Sequence, residues 1–409
     1  MLTVRDLVTN PKDTARITGE TVPLLALYSL LLVIVVWCVA PLVSPNHLTA
    51  DMLRIVAVST ALASITPEWL LQSKGSFRAL AWSRFLGQAC YGVSAAFLVT
   101  SGVDGTYRYA WLNALGIAVT CGLIWLAALR LIGRFKLNLH VRDMLSIIRR
   151  TGSFTLSLVM IRLYYSADFV LLGFLASAAA VGQYTVAYKL PLAFLGLASL
   201  WVTVFFPHAS AQPPNVLQRQ LSIITMIILG VVAPLCAGSA ILGTPLMVAL
   251  FGPSYHAAGA PFSILMVGVA FAAVDMSIGQ VILATGHERR FAVGVSLGAG
   301  MNLALNVLLI PTLGTSGSAL ATVAAEALVL VFMAFTVTSL GLAPRLLWSR
   351  VIFIALATAL MAAALLLVDV DGSVFARIAI GLGIYGVALF LTGAVRRSDL
   401  TDLRQARLL

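Results

Sequence analysis

Six side chains that could bind ions or polar ligands fall within long apolar runs: Arg162, Tyr165, Asp168, Lys189, Asp275 and Glu326. An ionised group at mid-bilayer depth costs at least about 2.5–3.5 kcal/mol on insertion scales, so each charged one demands a reason. Arg162 comes about ten residues into its run, and Tyr165, at i+3, shares its face. Lys189 lies about nine residues into the next run, which returns antiparallel beside the first. Two cations with tyrosine nearby suit a phosphate-bearing headgroup, the guanidinium by paired hydrogen bonds and the ammonium as a point charge. Asp168 could join them, or pair with Lys189 across the hairpin. It stands roughly 120° around the helix from Arg162, too far for a direct pair. Asp275 and Glu326 could exchange a proton or a sodium ion. The simpler expectation for both is a neutral carboxyl, or a hydrogen bond to Asn302 or Asn306 that fixes helices together.

These side chains need elements to hold them, and the composition says what kind. The 409 residues are 60% hydrophobic and 10% charged, with a mean hydropathy of +1.01. A soluble domain carries roughly 25% charged residues. The shortfall excludes a soluble enzyme, a disordered chain and a nucleic-acid binder, despite a formal charge of +11. Cys38, Cys90, Cys121 and Cys236 sit in apolar runs without metal-ligand spacing. The histidines, His47, His140, His208, His256 and His287, stand far apart, so no metal and no cofactor is expected.

A hydrocarbon core about 30 Å thick takes about 20 helical residues, and continuous rather than alternating runs select helices over a barrel. About twelve runs qualify: 21–43, 50–71, 76–100, 109–132, 152–175, 180–207, 221–242, 260–284, 291–311, 317–340, 351–368 and 374–395. The first is too long for a signal-peptide core and reads as a retained span. With the N-terminus inside, all 26 Lys and Arg fall in inner segments except Arg54, Arg108 and Arg377 outside and Arg162 and Lys189 within spans. Both termini are therefore expected in the cytoplasm. The longest interior gap, 133–150, cannot house a nucleotide-binding domain, and no phosphate-cradling loop motif occurs, which excludes ATP-driven transport by this chain itself. Asp369-Val370-Asp371 reads as a solvated outer loop, and 399–409 as an interfacial helix.

Leu70-Leu71-Gln72-Ser73-Lys74-Gly75-Ser76-Phe77-Arg78 is echoed by Val281-Ile282-Leu283-Ala284-Thr285-Gly286-His287-Glu288-Arg289. Gly75/Gly286, Arg78/Arg289 and Ala81/Ala292 share one offset of 211 (286 − 75). The second and eighth runs thus correspond, which implies a six-helix period. On that period the chain starts at the third helix of its first lobe. Expected divisions are 1–150 as an incomplete first lobe, 151–341 as a six-helix lobe, and 342–409 as an extra helix pair with a tail.

Arg162-x5-Asp168-Phe-Val-Leu-Leu-Gly173 with Val181-Gly182-Gln183-Tyr184-x2-Ala187-Tyr188-Lys189-Leu190 resembles the polysaccharide, or lipid-linked oligosaccharide, flippases. Leu250-Phe251-Gly252-x2-Tyr255-x-Ala257-Ala258 and Asn302-x3-Asn306-x3-Ile310-Pro311-x2-Gly314-x2-Gly317-x-Ala319-x-Ala321-Thr322 are similar to later signatures of the same family. Pro67-Glu68-Trp69-Leu70 followed by Gly75 is similar to its first-lobe inner loop. The resemblance covers nearly the whole chain and extends to a superfamily that also holds multidrug antiporters and the lipid II flippase.

The resemblance implies an all-α, two-lobed, polytopic membrane protein of the multidrug-extrusion type, lacking the first two helices. It implies a non-enzymatic flippase of the bacterial cytoplasmic membrane that moves polyprenyl-pyrophosphate-linked oligosaccharide outward by alternating access. O-antigen, lipopolysaccharide or exopolysaccharide units would be the cargo, with a polysaccharide polymerase and glycosyltransferases as partners beside membrane lipids. Arg162, Tyr165, Lys189 and Asp168 would line the cavity, and Asp275 and Glu326 would couple an ion. A multidrug or cation antiporter of the same fold would be expected to show an acid-dominated cavity. A membrane-embedded polymerase or acyltransferase tends to carry a long outer loop or an intramembrane catalytic histidine, and neither is present. A non-transporting component of envelope polysaccharide assembly is the remaining alternative.

Overall fold

The computed structural model describes residues 14–43, 47–101, 105–133, 166–209, 213–367 and 373–392, with backbone only at 43, 106 and 199–209. The chain divides into two compact units, Met1–Leu158 and Val159–Leu409. The first contains α1 (Thr14–Val43), α2 (His47–Ser64), α3 (Glu68–Ser73), α4 (Phe77–Thr100) and α5 (Thr106–Ile132). The second contains α6 (Ser166–Leu175), α7 (Ala178–Ala209), α8 (Pro214–Phe251), a 3-10 turn (Pro253–Ala258), α9 (Gly259–Ala284), α10 (Glu288–Ser339), α11 (Trp348–Leu367) and α12 (Val374–Thr392).

Each apolar run coincides with a helix or a helix arm, the run 152–175 having its described part in α6. Eight helices among the described residues are long and apolar enough to cross a membrane. That count takes α10 once, although it makes two passes. As a single rod its 52 residues would be about 78 Å long. Gly314 breaks it with φ 55 and ψ −130, a backbone region closed to residues with a Cβ. Beyond this glycine the arms run antiparallel: Gly294 faces Phe332 and Met333, Gly298 faces Val329, and Gly317 faces the Leu309 carbonyl. Small residues take these places because lipid supplies no hydrophobic drive between helices, so close backbone approach and dispersion must hold them. In the first unit, Gly87 and Gly116 do the same where α4 crosses α5.

The side chains turned outward fit lipid rather than water. Phe390 is 83% exposed, and Leu42 and Leu367 are nearly as bare; an aqueous surface does not tolerate such contiguous apolar area. Polar bonds then act as pins between helices. Pro234 in α8 has no N–H, which deprives the Gly230 carbonyl of its helical donor. Tyr385 of α12 supplies that donor, its hydroxyl donating to Gly230 O at 2.6 Å. Leu242 of α8 packs there with Ala357, Met361 and Leu365 of α11 and Ala388 of α12.

The two sequence-related turns share one geometry. Gly75 has φ 67 and Gly286 has φ 78. Ser76 N donates to Leu71 O at 2.8 Å, and His287 N donates to Ile282 O at 3.0 Å. Gly75 N reaches Gln72 O at 3.1 Å, and Gly286 N reaches Leu283 O at 3.1 Å. Both are glycine-capped helix ends of the Schellman type. Gly341, φ 71, closes α10 in the same way without the sequence echo, so the motif alone does not establish the repeat.

Candidate functional site

The second unit concentrates its buried polarity around Asp168. Three helices deliver it: α6 carries Asp168, α7 carries Tyr184, and the two arms of α10 carry Asn302 with Asn306 and Ser318 with Thr322. The reversal at Gly314 is what sets the asparagines of one arm opposite the hydroxyls of the other. Asp168 is only 4% exposed. Tyr184 Oη donates to its Oδ2 at 3.0 Å, Thr322 Oγ1 donates to the same oxygen at 2.9 Å, and Asn306 Nδ2 donates to Oδ1 at 2.9 Å. Asn302 completes the group, its Nδ2 lying 3.4 Å from Thr322 Oγ1. Among the described residues, neutral donors rather than a cation thus surround this acid. Asn306 Oδ1 and Ser318 Oγ belong to the same cluster and are buried with no partner among the described residues. Hard uncharged oxygens around a single carboxylate suit a monovalent cation better than a divalent one, which takes more charge.

Lys189 stands elsewhere. It is exposed on α7, and its Nζ lies 5.2 Å from the centroid of the Phe251 ring, a cation–π arrangement at the C-terminal end of α8. Gln183, two turns earlier, fixes this corner by donating from Nε2 to Ser254 O at 2.7 Å. The ion pair between Lys189 and Asp168, one of two arrangements the sequence allowed, is not formed; each has the partners just named. Arg162 and Tyr165 lie outside the described residues.

Asp275 of α9 and Glu326 of α10 meet. The two acids lie close enough to interact electrostatically. Asp275 is 7% exposed, and its Oδ2 has no hydrogen-bond partner among the described residues. A hydrogen bond from these acids to Asn302 or Asn306 was one of the arrangements the sequence allowed; Asn306 bonds to Asp168 instead.

The first unit holds a cleft of about 320 Å³ lined by Ala63, Thr66, Glu68, Arg84, Gln88, Ile117, Thr120 and Cys121. Arg84 meets Glu68 as a fork, Nη2 to Oε2 at 2.6 Å and Nε to Oε1 at 3.3 Å. Arg84 is therefore more than the orientation charge that its place in the sequence suggests. Thr66 Oγ1 donates to Cys121 Sγ at 2.9 Å on the cleft wall. Among the described residues no three His, Cys, Asp or Glu side chains are grouped to hold a metal.

Sequence reasoning singled out Asp168 but missed its holders, although Tyr184, Asn302, Asn306 and Thr322 all stand in the quoted motifs. The i,i+4 spacing of the asparagines showed that they face one way, and that was the available signal. The Glu68–Arg84 cleft had none beyond the charges themselves.

Known proteins place this architecture. Residues 11–212 match the family described as polysaccharide biosynthesis protein. A relative in Haloferax volcanii, described as the probable flippase AglR, is 32% identical over 170 residues, covering 39% of this chain and 35% of the relative. The chain thus spans about a third of the length of the curated relative it matches. A solved structure of the lipid II flippase MurJ, in an inward closed conformation, superposes with a TM-score of 0.79 at 16% identity, covering 94% of this chain and 86% of that one. The chain is thus a multi-pass membrane protein whose residues 11–212 match the polysaccharide biosynthesis protein family and whose fold is that of the lipid II flippase structure.

Proposed function

We propose that the protein flips a polyprenyl-pyrophosphate-linked oligosaccharide from the inner to the outer leaflet of the bacterial cytoplasmic membrane. The family match over residues 11–212, with a flippase relative and a flippase fold beside it, is the observation that carries this reading. Both termini face the cytoplasm, as the distribution of Lys and Arg favours. Residues 151–341 act as one lobe of an alternating-access pair, residues 1–150 belong to the other, and 342–409 are an appended helix pair with a tail. Arg162, Tyr165 and Lys189 bind the pyrophosphate and the first sugar, while the lipid tail stays in the bilayer. Asp168 positions α6 against α7 and α10 rather than touching the saccharide. O-antigen or exopolysaccharide units are the cargo class, handed over by glycosyltransferases and taken up by a polymerase.

One observation weighs against a multidrug antiporter. Such a protein would show acids on its cavity surface, whereas Asp168 and Asp275 are buried and Lys189 is exposed. The test is a strain in which Arg162→Leu and Lys189→Leu are combined. Loss of surface glycan, with the protein still present in the membrane at its normal level, is expected. Undiminished export at that level would overturn the assignment.

A further inference from the structure

Helix α4 exposes two faces of opposite character. Trp82, Leu86 and Val93 are bare on one side. Arg84, also exposed, stands roughly 160–180° round the helix from all three, and exposed Gln88 follows it at i+4. Helix α5 repeats the pattern. Trp111 and Leu129 are exposed nine residues to either side of Thr120 (120 − 111, 129 − 120), and so lie opposite it. Asn113, exposed, shares the face of Thr120. Lipid suits the apolar faces. It does not suit an exposed charge within a span, which turns to a water-filled cavity or the bundle interior because hydrocarbon penalises it.

The two polar faces meet over the first-unit cleft, which Thr66 and Glu68 close from the α2–α3 side. Its floor is the α4–α5 crossing, where any Cβ on Gly87 would collide with Thr120. The start of α4 lies beside the end of α5, since Leu80 packs with Ile124, and depth can be counted from there. Arg84 is seven residues into α4 (84 − 77), about 10 Å. Thr120 is twelve residues from the end of α5 (132 − 120) and Asn113 nineteen (132 − 113), about 18 Å and 28 Å. The polar stripe therefore crosses most of a hydrocarbon core about 30 Å thick. A lipid headgroup stays at the membrane surface, so a face of this depth fits a polar group that travels inward. The ion pair at its base is accessible as well, Arg84 at 57% and Glu68 at 32%. Arg84 spends Nε and Nη2 on Glu68, which leaves Nη1 outside the fork.

Charge decides what kind of ligand fits. Glu68 cancels Arg84, so the cleft offers a phosphate no net attraction, and a cationic ligand would find the carboxylate already paired. What it offers is donors and acceptors side by side: Nη1 of Arg84, the spare lone pairs of Glu68 and the amide of Gln88. Hydroxyl groups, which both donate and accept, match that set, and bonds to the two charged partners are the strong kind. The cleft, about 320 Å³, is at the small end of ligand pockets, about 300–1,000 Å³. We infer that it is a saccharide site, in which Arg84 and Glu68 together engage neighbouring hydroxyls of an uncharged sugar. Gln88 is a third contact, and the Thr120–Asn113 face is the path onward. That the sugar belongs to a translocated glycolipid rests on the function proposed above; the binding of an uncharged sugar does not.

Saturation-transfer NMR of the purified full chain in lipid nanodiscs, with free glucose and N-acetylglucosamine as probes, reads the site without a flipping assay. Sugar signals are expected from wild type and from Arg162→Leu/Lys189→Leu, which removes the cations proposed to bind pyrophosphate. In that background Gln88→Ala, the loss of an exposed side chain that leaves the fold intact, should weaken sugar binding a few-fold. Glu68→Gln should weaken it roughly tenfold, as loss of one charge-assisted hydrogen bond implies. It should also let inorganic pyrophosphate bind, seen as phosphorus line broadening absent from the background, because Arg84 is then uncancelled. A purely structural ion pair would not exchange one preference for the other. Silent sugars in wild type, signals that both cleft variants leave unchanged, or a preference for phosphoethanolamine over the sugars overturns the site. Sugar binding by a chain that flips no glycolipid supports the cleft and overturns the translocation reading; flipping by a chain whose cleft binds no sugar does the reverse.

Discussion

Replacing Asp168 by asparagine keeps the shape of the side chain and removes its charge and one acceptor. Tyr184 and Thr322 both donate to Oδ2, and Asn306 donates to Oδ1. If the new carbonyl takes the Oδ2 position, its NH2 faces the NH2 of Asn306, and that bond becomes a clash of donors. The two surviving bonds lose charge assistance. Hydrogen bonds to charged groups contribute about 1.5–3 kcal/mol and neutral ones about 0.5–1.5, so the total from solution values is about 4–5 kcal/mol. Interhelical bonds inside membranes average only about 0.6 kcal/mol, because the unfolded chain in lipid also finds partners, which gives about 2 kcal/mol for three. We expect Asp168→Asn to destabilise the second unit by about 2–4 kcal/mol, between these bounds. Reversible unfolding in mixed micelles measures it, in a cycle with Tyr184→Phe. Coupling of at least about 0.5 kcal/mol between the two positions is expected of direct partners. A variant as stable as wild type, or a coupling of zero, would refute the hub.

Four further outcomes follow from the packing. Tyr385→Phe leaves the Gly230 carbonyl without a donor and should cost about 1–2 kcal/mol, read as earlier proteolysis of the α11–α12 pair. Gly314→Ala puts a Cβ on a backbone that rejects it and should cost about 1–3 kcal/mol, measured by the same unfolding assay. Gly116→Val drives a side chain toward the Gly87 carbonyl, which an added Cβ would approach to 2.7 Å; a loss of about 1–3 kcal/mol and a wider α4–α5 spacing by spin-label distances are expected. Reversing Glu68 and Arg84 together should restore the ligand access of probes to the first-unit cleft that either single reversal alters, as read by thiol labelling of Cys121.

Most of the helices were legible because a lipid solvent leaves a coarse mark: about 20 apolar residues per pass, punctuated by charge and glycine. Even the turn inside α10 was marked, since Pro311, Gly314 and Gly317 interrupt what is otherwise one unbroken run. The buried acids stood out too, because a carboxyl in an apolar run is conspicuous. What each acid touches was not. Asn306 and Thr322 reach Asp168 from 138 and 154 residues away. Helical periodicity says which residues share a face, but not which helix that face will meet. The same limit hid the meeting of Asp275 and Glu326, and it allowed Arg84 to pass for a charge that merely reports orientation.

Reconstitution tests the account at its centre. The purified chain, in liposomes whose inner leaflet carries a polyprenyl-pyrophosphate-linked oligosaccharide, is assayed for exposure of the sugar to an impermeant glycosidase outside. The account predicts that the protein makes the inner pool accessible and that the Arg162→Leu/Lys189→Leu variant, folded and reconstituted equally, does not. An inner pool that stays protected with the wild-type protein, under conditions where a known flippase exposes it, would contradict the account.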